Sequence, residues 1–222
     1  HGLEDQKNVF IFVGRIALYK NLALMADALK ILKDKGVDFK TIIVGGGFDL
    51  RKFQEIVEEN GLTNNFIFTG PVKDRELLQG YYLRSDLFLF PSTFDTSSLV
   101  PVEAAAHKLP TLLIKGSYTA ENIIDDKNGF LAEENPKAYA DKIEYIISNQ
   151  KLLSEVGEEC HKSVYRTWEQ VAEEVKAVEP EVPETPLETE PAVATEPVSQ
   201  PQQNLCFFER LSLMLNNLFA NL

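Results

Sequence analysis

The chain has 222 residues, room for one medium domain or one domain with a tail, and its 34 Asp and Glu against 22 Lys and Arg leave a net charge of −12. That balance excludes nucleic acid as the main partner and general adsorption to anionic lipid, because both need a basic surface. Two cysteines, Cys160 and Cys206, are too few for a disulfide framework, no apolar run reaches the ~18 residues of a membrane span, and the opening His-Gly-Leu-Glu-Asp-Gln is not a secretory signal. A reducing, cytoplasmic compartment is expected.

In chain order the text alternates between strand-like and helix-like segments. Residues 9–13 (VFIFV) form a short apolar run that ends in Gly14. From Asn21 to Lys35, Leu22, Met25, Leu29 and Leu32 share one helical face. A second strand, 41–44 (TIIV), runs into Gly45-Gly46-Gly47, and a helix over 50–60 stops at Gly61. A third strand is expected over 65–69 (NFIFT), then a helix from an Asp74 cap to Arg84, then a fourth strand over 86–90 (DLFLF). Ser97 or Ser98 is expected to cap a helix running through His107, with Pro101 in its first turn. Further along come a fifth strand over 111–114 (TLLI), a helix near 118–125 and a sixth strand over 129–131. Asn135-Pro136 then opens a helix to about Ser148, and helices follow over 151–161 and 163–178.

The charge is uneven along this order. Residues 1–168 hold 20 Lys and Arg and 24 Asp and Glu, a net of −4, whereas residues 169–203 hold one Lys and nine Glu, a net of −8. Six of the 11 prolines fall in that second stretch, and none of the 12 glycines does. Repeated Pro with Glu, Thr and Val cannot bury enough surface to offset ordering entropy, so 179–203 reads as a disordered linker. The last segment, 204–222, carries Phe207, Phe208, Leu211, Met214, Leu215, Leu218, Phe219 and Leu222 at helical spacing, with no net charge. An amphipathic helix is expected there, docking on a protein or a membrane surface. Three regions result: a folded domain over 1–178, the linker, and the terminal helix.

Apolar strands alternating with helices indicate an α/β, Rossmann-like, doubly wound parallel sheet of about six strands, covered on both faces. Ligands of such sheets lie beyond the carboxyl ends of the strands. There the sequence places Gly14-Arg15 and Lys20-Asn21 after the first strand, the three glycines after the second, and PSTFDTSSLVPVEAAAHKLP (91–110) after the fourth. Arg15 can fork onto phosphate oxygens and Lys20 can act as a point charge, while Asp95 and Glu103 suit sugar hydroxyls, which are donors. The set reads as a site for a phosphorylated sugar or nucleotide. It is not a dinucleotide fingerprint, because the third glycine would have to stand at Leu50. His107 and His161 show no metal-ligand spacing with the two cysteines, and Trp168 reads as core packing.

The ordered pieces VGR-x4-KN, IIVGGG, FIFTG, SDLFLFPSTFDTSSLVPVEAAAHKLP and NGFL resemble the C-terminal domain of family 4 (group 1) glycosyltransferases over about residues 8–170. The most specific piece is an acid-x7-acid spacing, here Asp95 and Glu103. The resemblance implies half of a GT-B enzyme, the half that binds a nucleotide sugar, by default UDP-glucose. It implies Arg15 and Lys20 on the diphosphate, Glu103 on the ribose, and Asp95 on sugar hydroxyls near the anomeric carbon. Gly14, Gly45 and Gly46 would line the donor, and the backbone amides of Ser97, Ser98 and Leu99 would bind phosphate or sugar. It also implies retention of anomeric configuration, with no metal and no cofactor besides the donor. Two departures stand out: Asp95 replaces a Glu one methylene longer, and Thr96-Ser97-Ser98 replaces a glycine-rich stretch. A missing N-terminal, acceptor-binding half is the expected partner, and the chain alone is expected to be inactive. A binding module without transfer is the other reading.

Overall fold

The computed structural model of the chain describes residues 3, 5–96, 98–165, 170 and 173. Strands β1 (Val9–Val13), β2 (Lys40–Val44), β3 (Phe66–Gly70), β4 (Leu87–Phe90), β5 (Thr111–Ile114) and β6 (Phe130–Ala132) form one sheet in the order β3-β2-β1-β4-β5-β6. Every pair is parallel, with Ile11 of β1 opposite Ile42 of β2 and Phe88 of β4. Helices α1 (Leu22–Asp34), α2 (Leu50–Glu59), α3 (Arg75–Arg84), α4 (Val100–Ala106), α5 (Pro136–Ser148) and α6 (Gln150–Ser163) cover the two faces. The doubly wound α/β architecture expected from the sequence is therefore the observed one.

Strand alternation explains why these strands have no polar side. Phe10 and Phe12 point into one core with Leu22, Met25 and Leu29 of α1, Phe53 of α2, and Tyr139 and Ile143 of α5. Val9 and Ile11 point the other way, into a core with Tyr81 and Tyr82 of α3 and Ala104 of α4. Both faces are buried, so both sets must be apolar. Truncating one such side chain, Leu29 for example, costs about 2–5 kcal/mol, because little around it can collapse into the space.

Helix starts follow local chemistry where the cap residue is present. The Asp74 carboxylate accepts from the amides of Glu76 (2.9 Å) and Leu77 (3.2 Å), and Asn135 Oδ1 accepts from Ala138 N at 2.8 Å with Pro136 just inside the helix. At α4 no serine cap bond is present among the described residues. Ser97 lies outside the described residues, and the flanking residue is Leu99, in right-handed helical conformation with no side-chain cap bond. Pro101 tolerates only a first-turn place, so the helix begins at Val100 and runs seven residues.

The helix expected near 118–125 is also corrected. Only Tyr118–Ala120 forms a single 3-10 turn, because Asn128 intervenes. Its side chain accepts from Ile124 N (2.7 Å) and donates to Asn122 O (3.2 Å), displacing the helical bonds. The sixth strand sits one residue later than expected. The helix expected over 163–178 falls almost wholly outside the described residues, and Trp168, the linker over 179–203 and the helix over 204–222 lie outside them.

Candidate functional site

The sheet order decides which loops meet. β1 lies between β2 and β4, so the winding reverses at β1 and β4, and the crevice of such a sheet opens at their carboxyl ends. The loop after β1 carries Gly14, Arg15 and Lys20; the loop after β4 carries Asp95, Ser98 and Leu99.

The first loop is laced to the loop after β2. Gly14 N donates to Val44 O (3.0 Å), Ile16 N to Gly46 O (2.9 Å), and Gly45 N to Gly70 O (3.0 Å). This contact requires glycine. A Cβ on Gly45 would overlap the Gly14 carbonyl, and one on Gly47 would overlap the Ile16 carbonyl. Gly45 also has φ of 135°, a region that side chains disfavour. Asp49, buried at the start of α2, completes the brace, its Oδ2 accepting from Leu18 N at 2.9 Å. A single 3-10 turn, Leu18–Lys20, then delivers Lys20, and Asn21 follows in left-handed conformation with its side chain on Glu134 Oε1 at 2.7 Å.

The two cations of this loop differ in state. Arg15 is exposed and has no ion-pair partner among the described residues. Lys20 is buried, and its Nζ lies 2.9 Å from both carboxylate oxygens of Asp95. The two groups therefore meet each other, an outcome the sequence reading did not anticipate.

Glu103 sits within α4, apart from that pair. It is exposed, because Ala104 and Ala105 take the packed side and each residue turns the helix by about 100°. A partner is nonetheless present, since the Tyr82 hydroxyl donates to Glu103 Oε2 at 3.0 Å. Burial pushes the Tyr82 phenol up, and the Glu103 charge adds to that. Beneath, the His107 ring stacks on Tyr82 (5.1 Å, 16°) and its Nδ1 lies 2.8 Å from Glu103 O. His161 Nδ1 similarly lies 3.0 Å from Ala105 O. Both histidines are structural.

Sequence reasoning missed Asp49 and Tyr82, and also an exposed aromatic cluster in which Tyr19 lies 5.2 Å from Phe94 and 6.5 Å from Phe48, ring to ring. Position after the glycines could have signalled Asp49; nothing in the text marks Tyr82. A cavity of about 190 Å³ lined by Tyr82, Asp86, His107 and Pro110 opens at the amino ends of β4 and β5, away from these loops. Among the described residues no cluster of three or more His, Cys, Asp and Glu could hold a metal, and no helix is long and apolar enough to cross a membrane.

Residues 1–163 match the family model described as glycosyl transferases group 1. The chain belongs to that family. Of its curated relatives, the capsular polysaccharide biosynthesis glycosyltransferase CapM of Staphylococcus aureus is 26% identical over 74% of this chain and 43% of its own length. A GDP-mannose-dependent α-(1-6)-phosphatidylinositol dimannoside mannosyltransferase of Mycobacterium tuberculosis is 28% identical over 67% of this chain and 38% of its own. This chain thus spans less than half the length of these relatives. Among solved structures, the C-terminal domain of a group 1 family glycosyl transferase from Francisella tularensis superposes with a TM-score of 0.64 at 26% identity, covering 72% of this chain and 85% of that one. The fold is that of one half of a GT-B glycosyltransferase, as the sequence motifs implied.

Proposed function

We propose that the domain binds the donor of a retaining glycosyltransferase, one that moves a hexose from a nucleoside-diphosphate sugar to an acceptor such as a lipid or envelope glycan. The observation that carries this reading is the convergence of Arg15, Lys20 and Asp95 at the carboxyl ends of β1 and β4 in a chain of this family. In the reaction the bond from the anomeric carbon to the diphosphate breaks, its electron pair passing to the leaving oxygen. An acceptor hydroxyl forms the new bond and gives up its proton. Arg15 and Lys20 would meet the charge that grows on the diphosphate, which stabilises the transition state more than the bound donor. In this reading no metal or resident cofactor takes part.

Glu103 would take ribose hydroxyls on the carboxylate oxygen that Tyr82 leaves free, and Asp95 would take sugar hydroxyls. Gly14, Gly45 and Gly46 would line the donor, with Ser97, Ser98 and Leu99 on the opposite loop. α4 is shorter than the sequence suggested, and Pro101 removes one of its first amides, so the two cations carry the phosphate contact. UDP-glucose is the proposed donor, with GDP-mannose, named for the mycobacterial relative, as its competitor. An N-terminal acceptor-binding half would complete the enzyme, and residues 204–222 would dock on a protein or membrane surface.

The second reading is nucleotide-sugar binding without transfer by this chain. Calorimetric titration with UDP, GDP, UDP-glucose and GDP-mannose tests both. Binding of one nucleotide, weakened at least about tenfold by Arg15→Ala, is the expected result. Binding of none overturns both readings, and hydrolysis of a nucleotide sugar by the chain decides for the enzyme.

A further inference from the structure

Lys20 and Asp95 have opposite duties in the proposed donor site, yet they are bound to each other. Their contact, 2.9 Å from Nζ to each carboxylate oxygen, joins loops whose residues stand 75 positions apart, and the side chains are only 11% and 22% exposed. Arg15, five residues earlier, has no such partner among the described residues. One cation of the diphosphate site is therefore free and the other is held.

A diphosphate that takes Lys20 removes the only ion-pair partner that Asp95 has among the described residues. A partly buried carboxylate stripped of its partner is costly. Phosphate oxygens cannot repair that loss, since they are acceptors only. Sugar hydroxyls can, because they donate. We infer that Asp95 is a positioning and specificity residue acting through Lys20: it holds the lysine until a nucleotide sugar, and not the nucleoside diphosphate alone, replaces both halves of the pair. The inference rests on the donor-site reading above and adds a consequence. The bare diphosphate, which is the reaction's product, binds more weakly than the two cations would otherwise allow, and that favours its release.

The test is the affinity of the full chain for UDP against UDP-glucose and for GDP against GDP-mannose, by calorimetry, with Asp95→Asn and Asp95→Glu. Asp95→Asn frees Lys20 and is expected to tighten the bare diphosphate on the order of tenfold without tightening the nucleotide sugar, so the discrimination between the two collapses. Asp95→Glu keeps the charge and is expected to return diphosphate binding to within about threefold of the original. The gain in Asp95→Asn should persist as salt is raised from about 0.05 to 0.5 M, since a buried contact is screened far less than a surface charge.

A gain that fades with salt marks simple repulsion between Asp95 and the diphosphate and overturns the inference. Equal weakening of both ligands, with a lowered melting midpoint, marks a structural role and also overturns it. Diphosphate binding by the original chain that Asp95→Asn leaves unchanged removes the inference but not the donor site; no nucleotide binding at all removes both.

Discussion

The loops after β1 and after β4 face each other across the crevice but are built by different means. The first is fixed through its backbone: Gly14 and Ile16 hydrogen-bond to the loop after β2, Gly45 and Gly47 leave room for that approach, and Asp49 holds the amide of Leu18. The second is tied through side chains, by Asp95 on Lys20 and by Ser92 Oγ, which accepts from Phe94 N at a long 3.4 Å. Fixed dipoles and charges cost nothing to reorganise during a reaction, so in the proposed donor site the rigid side would suit the part of the donor that gains charge. The side held by side chains suits the part that differs between donors, the sugar.

That contrast can be broken most severely at Gly45. Alanine there would force a methyl into the Gly14 carbonyl at a positive φ, a cost on the order of 3 kcal/mol, or roughly 6–12 °C in melting midpoint, with loss of nucleotide binding. A Gly45→Ala chain that melts and binds like the original would show that the lacing is incidental. Next in size, Asp49→Ala removes a buried acceptor and leaves the Leu18 amide unpaired. The expected loss is about 1–3 kcal/mol of stability together with several-fold weaker diphosphate binding, read by thermal melting and calorimetry.

Smaller again, Tyr82→Phe deletes the hydroxyl that holds Glu103 Oε2. It is expected to narrow the preference for UDP over 2′-deoxy-UDP by about threefold, with little change in melting. Unchanged preference would show that Glu103 needs no support. A last effect is confined to alkaline pH. Burial pushes the Cys160 thiol up to about 12 from 9.0, so the unfolded chain loses this proton first and stability falls as pH rises above about 9. Replacing Cys160 by Ala should flatten that fall slightly in denaturant titrations at pH 8–11, and an unchanged slope would assign it to the buried tyrosines, whose phenols are likewise raised.

The elements themselves were legible from local pattern. Strands 9–13 and 111–114 appear where the sequence puts them, and the Asp74 and Asn135 caps do what their side chains are suited to do. Reading failed where a non-local group competed. Asn128 ended the expected helix after one 3-10 turn, and a proline set the start of α4 in place of a serine. The site was legible as a set of residue types on one lip, because parallel α/β order alone sends each strand's end to the same edge. Tyr82 was not legible, since its role depends on α3 packing beside α4, which spacing along the chain does not encode.

By itself the sequence determined the class of fold and the edge of the sheet to which the loops carrying Arg15, Lys20 and Asp95 belong. Periodicity and the order of motifs are local properties and survive in one dimension. Tertiary structure decided which of those residues meet. Insertion of β1 between β2 and β4 brings Lys20 onto Asp95, while Arg15 has no ion-pair partner among the described residues and Glu103 turns to Tyr82. An ion pair depends on distance in space, and only the strand order sets that distance.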